Sequence, residues 1–173
     1  LKKIDELYCP TIALINGHAF GGGLGIISVC DFKIADSKSK FCFSEVKLGL
    51  IPAMIGPYII RSLGFSNTKK LFLTGEVFGT SLANQMNLID KFVDTENIID
   101  ERNTLIDKLL AGGPKAQSAI KRYLQNIYSK NISDNLIDKA AENIAKIRVS
   151  EEGQKGIKAF LNKNKPDWYN DIS

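Results

Sequence analysis

Histidine is almost missing from this chain: His18 is the only one among 173 residues. Cysteine is scarce as well, and Cys9, Cys30 and Cys42 form no CxxC pair and no Cys/His cluster. No ligand set for a metal can be assembled from them, so none is expected. Three unpatterned thiols read instead as buried, reduced cysteines of a cytoplasmic protein. Long apolar runs are also lacking, and none approaches the ~18 residues of a membrane span. The opening Leu1-Lys2-Lys3-Ile4-Asp5-Glu6 has no secretory pattern and reads as a short amphipathic helix. An initiator Met is absent too, as expected either of processing or of a start upstream of Leu1. Charge of one sign is not in large excess: the net charge is +4, with a pI of about 8.9. The surplus is spread along the chain, which argues against a nucleic-acid surface and suits a small polyanion such as a nucleotide diphosphate.

What is present is an ordinary globular composition, 44% hydrophobic and 24% charged. The first half alternates short apolar runs with glycine turns. Thr11–Ile15 follows Pro10 and reads as a buried strand, Leu24–Val29 as a buried helix, and 32–35 and 41–43 as further strands. This order is α/β in character. The second half is helical. Thr80 is expected to cap a helix burying Leu82, Ala83 and Met86, with Asn87 in a left-handed C-cap. A strand spans 88–93, and a helix near Ile98–Leu110 stops at Gly112-Gly113. Pro114 opens the next helix, and Ser150-Glu151-Glu152 opens the last, which should bury Ile157, Phe160 and Leu161. The shift in composition near Phe78 divides the chain into 1–78 and 79–173.

The segment Asn16-Gly17-His18-Ala19-Phe20-Gly21-Gly22-Gly23 is the main candidate for chemistry. It lacks Gly-Lys-Ser/Thr, so it is no phosphate-binding P-loop, and it lacks the spacing of a dinucleotide fold. Glycines between a strand and a helix let backbone approach a ligand and leave N–H groups free at a helix N-terminus. A thioester carbonyl turning into an enolate is a charge such donors stabilise. A tight turn with close helix packing would account for the glycines equally.

Further motifs follow in order: Cys30-Asp31, Phe41-Cys42-Phe43-Ser44-Glu45-Val46-Lys47-Leu48-Gly49-Leu50-Ile51-Pro52, Leu73-Thr74-Gly75-Glu76, and Phe160-Leu161-Asn162-Lys163-Asn164-Lys165-Pro166. In this order and spacing the series resembles the crotonase (enoyl-CoA hydratase/isomerase) family over essentially the whole chain. The resemblance implies a crotonase-type ββα spiral, truncated at its N-terminus, followed by a helical oligomerisation region. It implies hydration of an α,β-unsaturated acyl-CoA, with coenzyme A arriving as part of the substrate and no permanently bound cofactor. Glu45 would be the general acid/base and the Gly22 N–H half of an oxyanion hole. Gly21 and Gly25 would line the substrate, and the Ala53 N–H would help hold water. Phe41, Phe43, Ile51 and Met54 would supply apolar surroundings for Glu45.

This sequence departs from the family pattern in two places. The segment carrying the second oxyanion donor has no match, so Thr11–Ile15 should pair with strands outside this sequence. Two-Glu hydratases carry a second Glu where this chain has Gly25, so a single carboxylate would work at both ends of a syn addition. A Δ3,Δ2-enoyl-CoA isomerase and a catalytically silent assembly fragment remain alternatives. Pro57-Tyr58 resembles the methylglutaconyl-CoA and carboxygeranoyl-CoA hydratase subgroup, of leucine and terpene breakdown. His18 reads as a loop or pocket-wall residue, and Asp31 as a turn residue. Lys163 and Lys165 would face coenzyme phosphates in a neighbouring subunit, and the apolar stripes after Pro114 imply a homo-trimer or a hexamer.

Overall fold

The computed structural model describes residues 1–169. A short helix α1 (Lys2–Asp5) leads to the strand β1 (Ile12–Ile15). Asp31 fastens the approach to this strand: its carboxylate accepts from the Thr11 N–H at 2.7 Å and from the Thr11 hydroxyl at 2.8 Å. The Asp31 N–H donates back to Thr11 Oγ1. The expected turn role of Asp31 is thus met by a reciprocal pair with a residue twenty positions away.

The chain continues through β2 (Ala19–Phe20), α2 (Gly22–Val29), β3 (Phe32–Asp36) and β4 (Lys40–Cys42). After a 3₁₀ turn over Ser44–Leu48 come α3 (Gly56–Thr74), β5 (Phe78–Gly79), α4 (Thr80–Gln85) and β6 (Lys91–Val93). The strands form two small sheets. One is parallel, in the order β1-β3-β6; the other has the order β2-β4-β5, with β5 antiparallel to β4. β3 and β4 are the central strands, and β1 pairs only with β3 among the described residues. Within this chain β1 therefore has one open edge, where the expected strands from outside the sequence would pair. Its side chains, Ile-Ala-Leu-Ile, include none of the charges that usually protect an edge.

The core lies between the sheets and α2, α3 and α4. Leu24, Phe41, Phe43, Ile59, Leu71, Leu88 and Ile89 are its most enclosed members. Phe43 packs against Phe72 and Phe78 with ring centroids 4.9 and 6.3 Å apart, and Phe41 meets Phe78 at 5.7 Å. Buried Asp36 is satisfied rather than costly. The Thr95 hydroxyl, then the Lys38 N–H, hold its carboxyl below the ordinary aspartate range.

The remaining helices are α5 (Ile98–Leu110), α6 (Pro114–Ile127), α7 (Asp134–Arg148) and α8 (Glu151–Leu161). The chain divides into two compact units, Leu1–Thr104 and a second beginning at Leu105, so Phe78 falls inside the first. In the second unit, Glu152 of α8 accepts from the first-turn N–H groups of Lys115 and Ala116 on α6, at 3.0 and 2.8 Å. It thereby satisfies donors that no helix can satisfy internally. Ser150 caps α8 as expected, accepting from the Gly153 N–H.

Several expectations need correction. Cys9 is exposed and Cys30 half-buried, so only Cys42 is a buried thiol. Thr80 is the first residue of α4, not its cap: its hydroxyl donates to Ser37 O, and Gly79 occupies the cap position. Leu82 is not enclosed, Met86 is half-buried, and only Ala83 is buried. Residues 88–90 precede a strand that is only Lys91–Val93. Ile157, Phe160 and Leu161 are not buried, being 39%, 81% and 72% exposed, because nothing among the described residues covers that face of α8. Ile120, Leu124, Ile137 and Ile144 are exposed too, in keeping with the expected apolar stripes that one chain does not cover.

Candidate active site

Gly21 closes β2 and opens α2 with φ +52°, ψ −122°, a conformation that a side chain resists. Its N–H donates to Cys42 O at 2.9 Å, which joins the glycine turn to the end of β4. Two residues beyond Cys42 the 3₁₀ turn begins, and it carries Glu45. The two segments meet closely: a Cβ on Gly21 would stand 3.2 Å from Glu45 Oε1. The glycine backbone is thus the surface on which the carboxylate lies.

Glu45 Oε2 is buried and has no hydrogen-bond partner among the described residues. Buried carboxylate oxygens are normally paired, so an unpaired one beside a glycine turn marks a place for a donor from outside the chain. Gly22 is the first residue of α2, exposed, in the turn where helix N–H groups lack internal partners. No hydrogen bond engages its N–H among the described residues. The arrangement therefore sets an acceptor and a donor around one turn: a carboxylate that can take a proton, and a helix N-terminus that can hold developing negative charge.

The other expected residues lie differently. Gly25 is buried, and a Cβ there would stand 2.3 Å from Ile55 Cγ2 and 3.4 Å from Leu1 Cδ2. Gly25 is thus interior packing against Ile55, and no carboxylate could stand there without moving Ile55. The Ala53 N–H donates to Ile51 O at 2.9 Å, closing a three-residue turn, so it is not a free donor for water. Phe41 and Phe43 are enclosed beneath the 3₁₀ turn, but Ile51 and Met54 are 80% and 82% exposed and do not enclose Glu45. His18 Nδ1 accepts from the Lys40 N–H at 3.2 Å, and its ring stacks at 6.3 Å on Phe20. Lys163 and Lys165 belong to the second unit and are exposed. Lys163 has φ +55°, and the Lys165 ammonium sits 4.2 Å from the centre of the Tyr169 ring. The sequence shows no sign of Ile55 packing on Gly25, and it shows Gly75 only as part of Leu73-Thr74-Gly75-Glu76, without its contact to Val46 and Lys47 in the turn that carries Glu45. For Gly75 a signal existed: a glycine directly after a helical run is the usual C-cap.

The family model described as enoyl-CoA hydratase/isomerase matches residues 1–171. An enoyl-CoA hydratase of Alternaria alternata is 33% identical over 162 residues, covering 87% of this chain and 54% of its own. The 2,3-dehydroadipyl-CoA hydratase of Escherichia coli is 29% identical over 167 residues, covering 96% of this chain and 65% of its own. The crystal structure of an enoyl-CoA hydratase from Shewanella pealeana superposes with a TM-score of 0.92 at 40% identity, over 96% of this chain and 62% of that one. The chain thus spans between about half and two thirds of these relatives' lengths. The motif order, the glycine turn beneath an unpaired carboxylate, and these likenesses converge: the chain belongs to the enoyl-CoA hydratase/isomerase, or crotonase, family.

Proposed function

We propose that the chain carries the acid/base carboxylate and one oxyanion donor of an enoyl-CoA hydratase acting on an α,β-unsaturated acyl-CoA. The observation that carries this reading is Glu45 Oε2, buried and unpaired beside the Gly21–Gly22 turn. In the proposed step Glu45 takes a proton from water while the water oxygen bonds to the β-carbon. The π electrons of the C=C bond pass to the thioester oxygen, and the Gly22 N–H stabilises the enolate. Glu45 then returns the proton to the α-carbon, and the carbonyl re-forms. No second carboxylate is required, which suits the tight Gly25–Ile55 packing.

That same packing favours one other reading, a Δ3,Δ2-enoyl-CoA isomerase, where a single carboxylate moves a proton between two carbons. Turnover in ¹⁸O-labelled water separates the two. A hydratase yields a 3-hydroxyacyl-CoA bearing one ¹⁸O; a shifted double bond without label supports the isomerase, and no product at all supports a silent assembly fragment.

His18 is a pocket-wall residue in this account, since its Nδ1 is engaged by backbone. His18→Ala should leave the shape of the pH–rate profile unchanged, and a vanished limb would assign the imidazole a proton-transfer role. The uncovered apolar stripes of α6, α7 and α8 support assembly through copies of the chain. Light scattering should report a trimer or a pair of trimers; a monodisperse monomer would count against that assembly.

A further inference from the structure

The motif Leu73-Thr74-Gly75-Glu76 has no part in the chemistry above, yet its glycine lies directly behind the turn that carries Glu45. Gly75 ends α3 in a left-handed conformation, φ +56°, ψ +29°, with its N–H donating to Leu71 O at 3.0 Å. A Cβ there would stand 2.9 Å from Val46 Cγ1 and 3.2 to 3.3 Å from Lys47 Cε and Cγ. These are the two residues after Glu45, in the same 3₁₀ turn. The Gly75 carbonyl also accepts from Cys42 Sγ at 3.2 Å, and Cys42 O in turn accepts from the Gly21 N–H. The catalytic turn is therefore gripped from two sides. Gly21 lies under the carboxylate, Gly75 lies behind Val46 and Lys47, and Cys42 connects the two glycines.

We propose that Gly75 is a positioning residue that sets the Glu45 carboxylate against Gly21. The inference rests on the reading of Glu45 as the acid/base. A methyl group at position 75 must push the Val46 Cγ1 methyl aside, and Val46 is covalently next to Glu45. A change of about 1 Å in a reacting group can cost on the order of 10²-fold in rate. Gly75→Ala should therefore lower kcat by roughly 10- to 100-fold while leaving KM nearly unchanged. Gly75→Asn separates crowding from backbone preference. Asparagine tolerates the left-handed region but carries the same Cβ, so it should be impaired like alanine. Val46→Ala removes the atom that would be struck. The double variant Val46→Ala/Gly75→Ala should therefore turn over nearly as fast as Val46→Ala alone.

The decisive comparison uses Glu45→Gln as background. If Gly75 acts through Glu45, Gly75→Ala adds no further loss there. If the two losses multiply, or if Gly75→Asn restores turnover where Gly75→Ala does not, the proposal is overturned. Near-normal turnover of Glu45→Gln alone would overturn the functional reading instead. A crystal structure of the Gly75→Ala protein, or of its Val46→Ala companion if the single variant does not fold, decides positioning independently of activity. In Gly75→Ala the carboxylate should be displaced from Gly21; in the companion it should return to the Gly21 backbone. A carboxylate unmoved in Gly75→Ala, or still displaced in the companion, contradicts the proposal.

Discussion

Replacing Glu45 with Gln should lower hydration by at least about 10²-fold while leaving the fold intact. Gln keeps the volume and the contact with Gly21 but cannot take a proton from water. Because Glu45 Oε2 has no hydrogen-bond partner among the described residues, its replacement breaks no hydrogen bond of that oxygen there. The loss should therefore appear in kcat, with melting temperature little changed. A stability change would signal instead that the carboxylate is structural. Steady-state kinetics beside thermal melts separates the two, and near-normal turnover would remove Glu45 from the mechanism.

The second large effect concerns the floor beneath that residue. Phe43 is 1% exposed, packs on Phe72 and Phe78, and immediately precedes the 3₁₀ turn. Phe43→Ala removes a ring from a closed core, a change that typically costs about 3–5 kcal/mol. Against a usual total of about 5–15 kcal/mol, much of the stability would be lost. Urea unfolding should show a much lower midpoint with a similar slope, and Phe43→Leu should lose less. A midpoint close to the parent would mean that the cluster is not a closed core.

Local signals in the sequence were reliable where the physics is local. The helix Ile98–Leu110 was expected from its period and the glycines after it, and those are its bounds. Asn87 has φ +63°, Pro114 opens α6, and Ser150 caps α8. Readings failed where a distant partner decides. Thr80 looks like a cap, but Ser37, forty-three positions away, takes its hydroxyl. Apolar spacing marks which face of α8 avoids water but not what covers it, so it cannot tell burial of Phe160 within the chain from burial against another one. The same held at the site. Glu45 and Gly22 were legible because an ordered motif series carries them. The engagement of the Ala53 N–H by Ile51 and the wedge of Ile55 against Gly25 were not, since both depend on how the loop after Pro52 folds. Gly75 was visible as a motif and silent about its role, because its neighbours lie nearly thirty residues earlier.

The account stands most directly on where a reacting thioester would lie. A crystal structure of the protein with a bound 3-hydroxyacyl-CoA tests this in one step. The account predicts the thioester oxygen about 2.7–3.1 Å from the Gly22 nitrogen, with the β-hydroxyl within hydrogen-bond reach of Glu45. A thioester bound away from the N-terminus of α2, or a Glu45 carboxylate turned from the β-carbon, would contradict it.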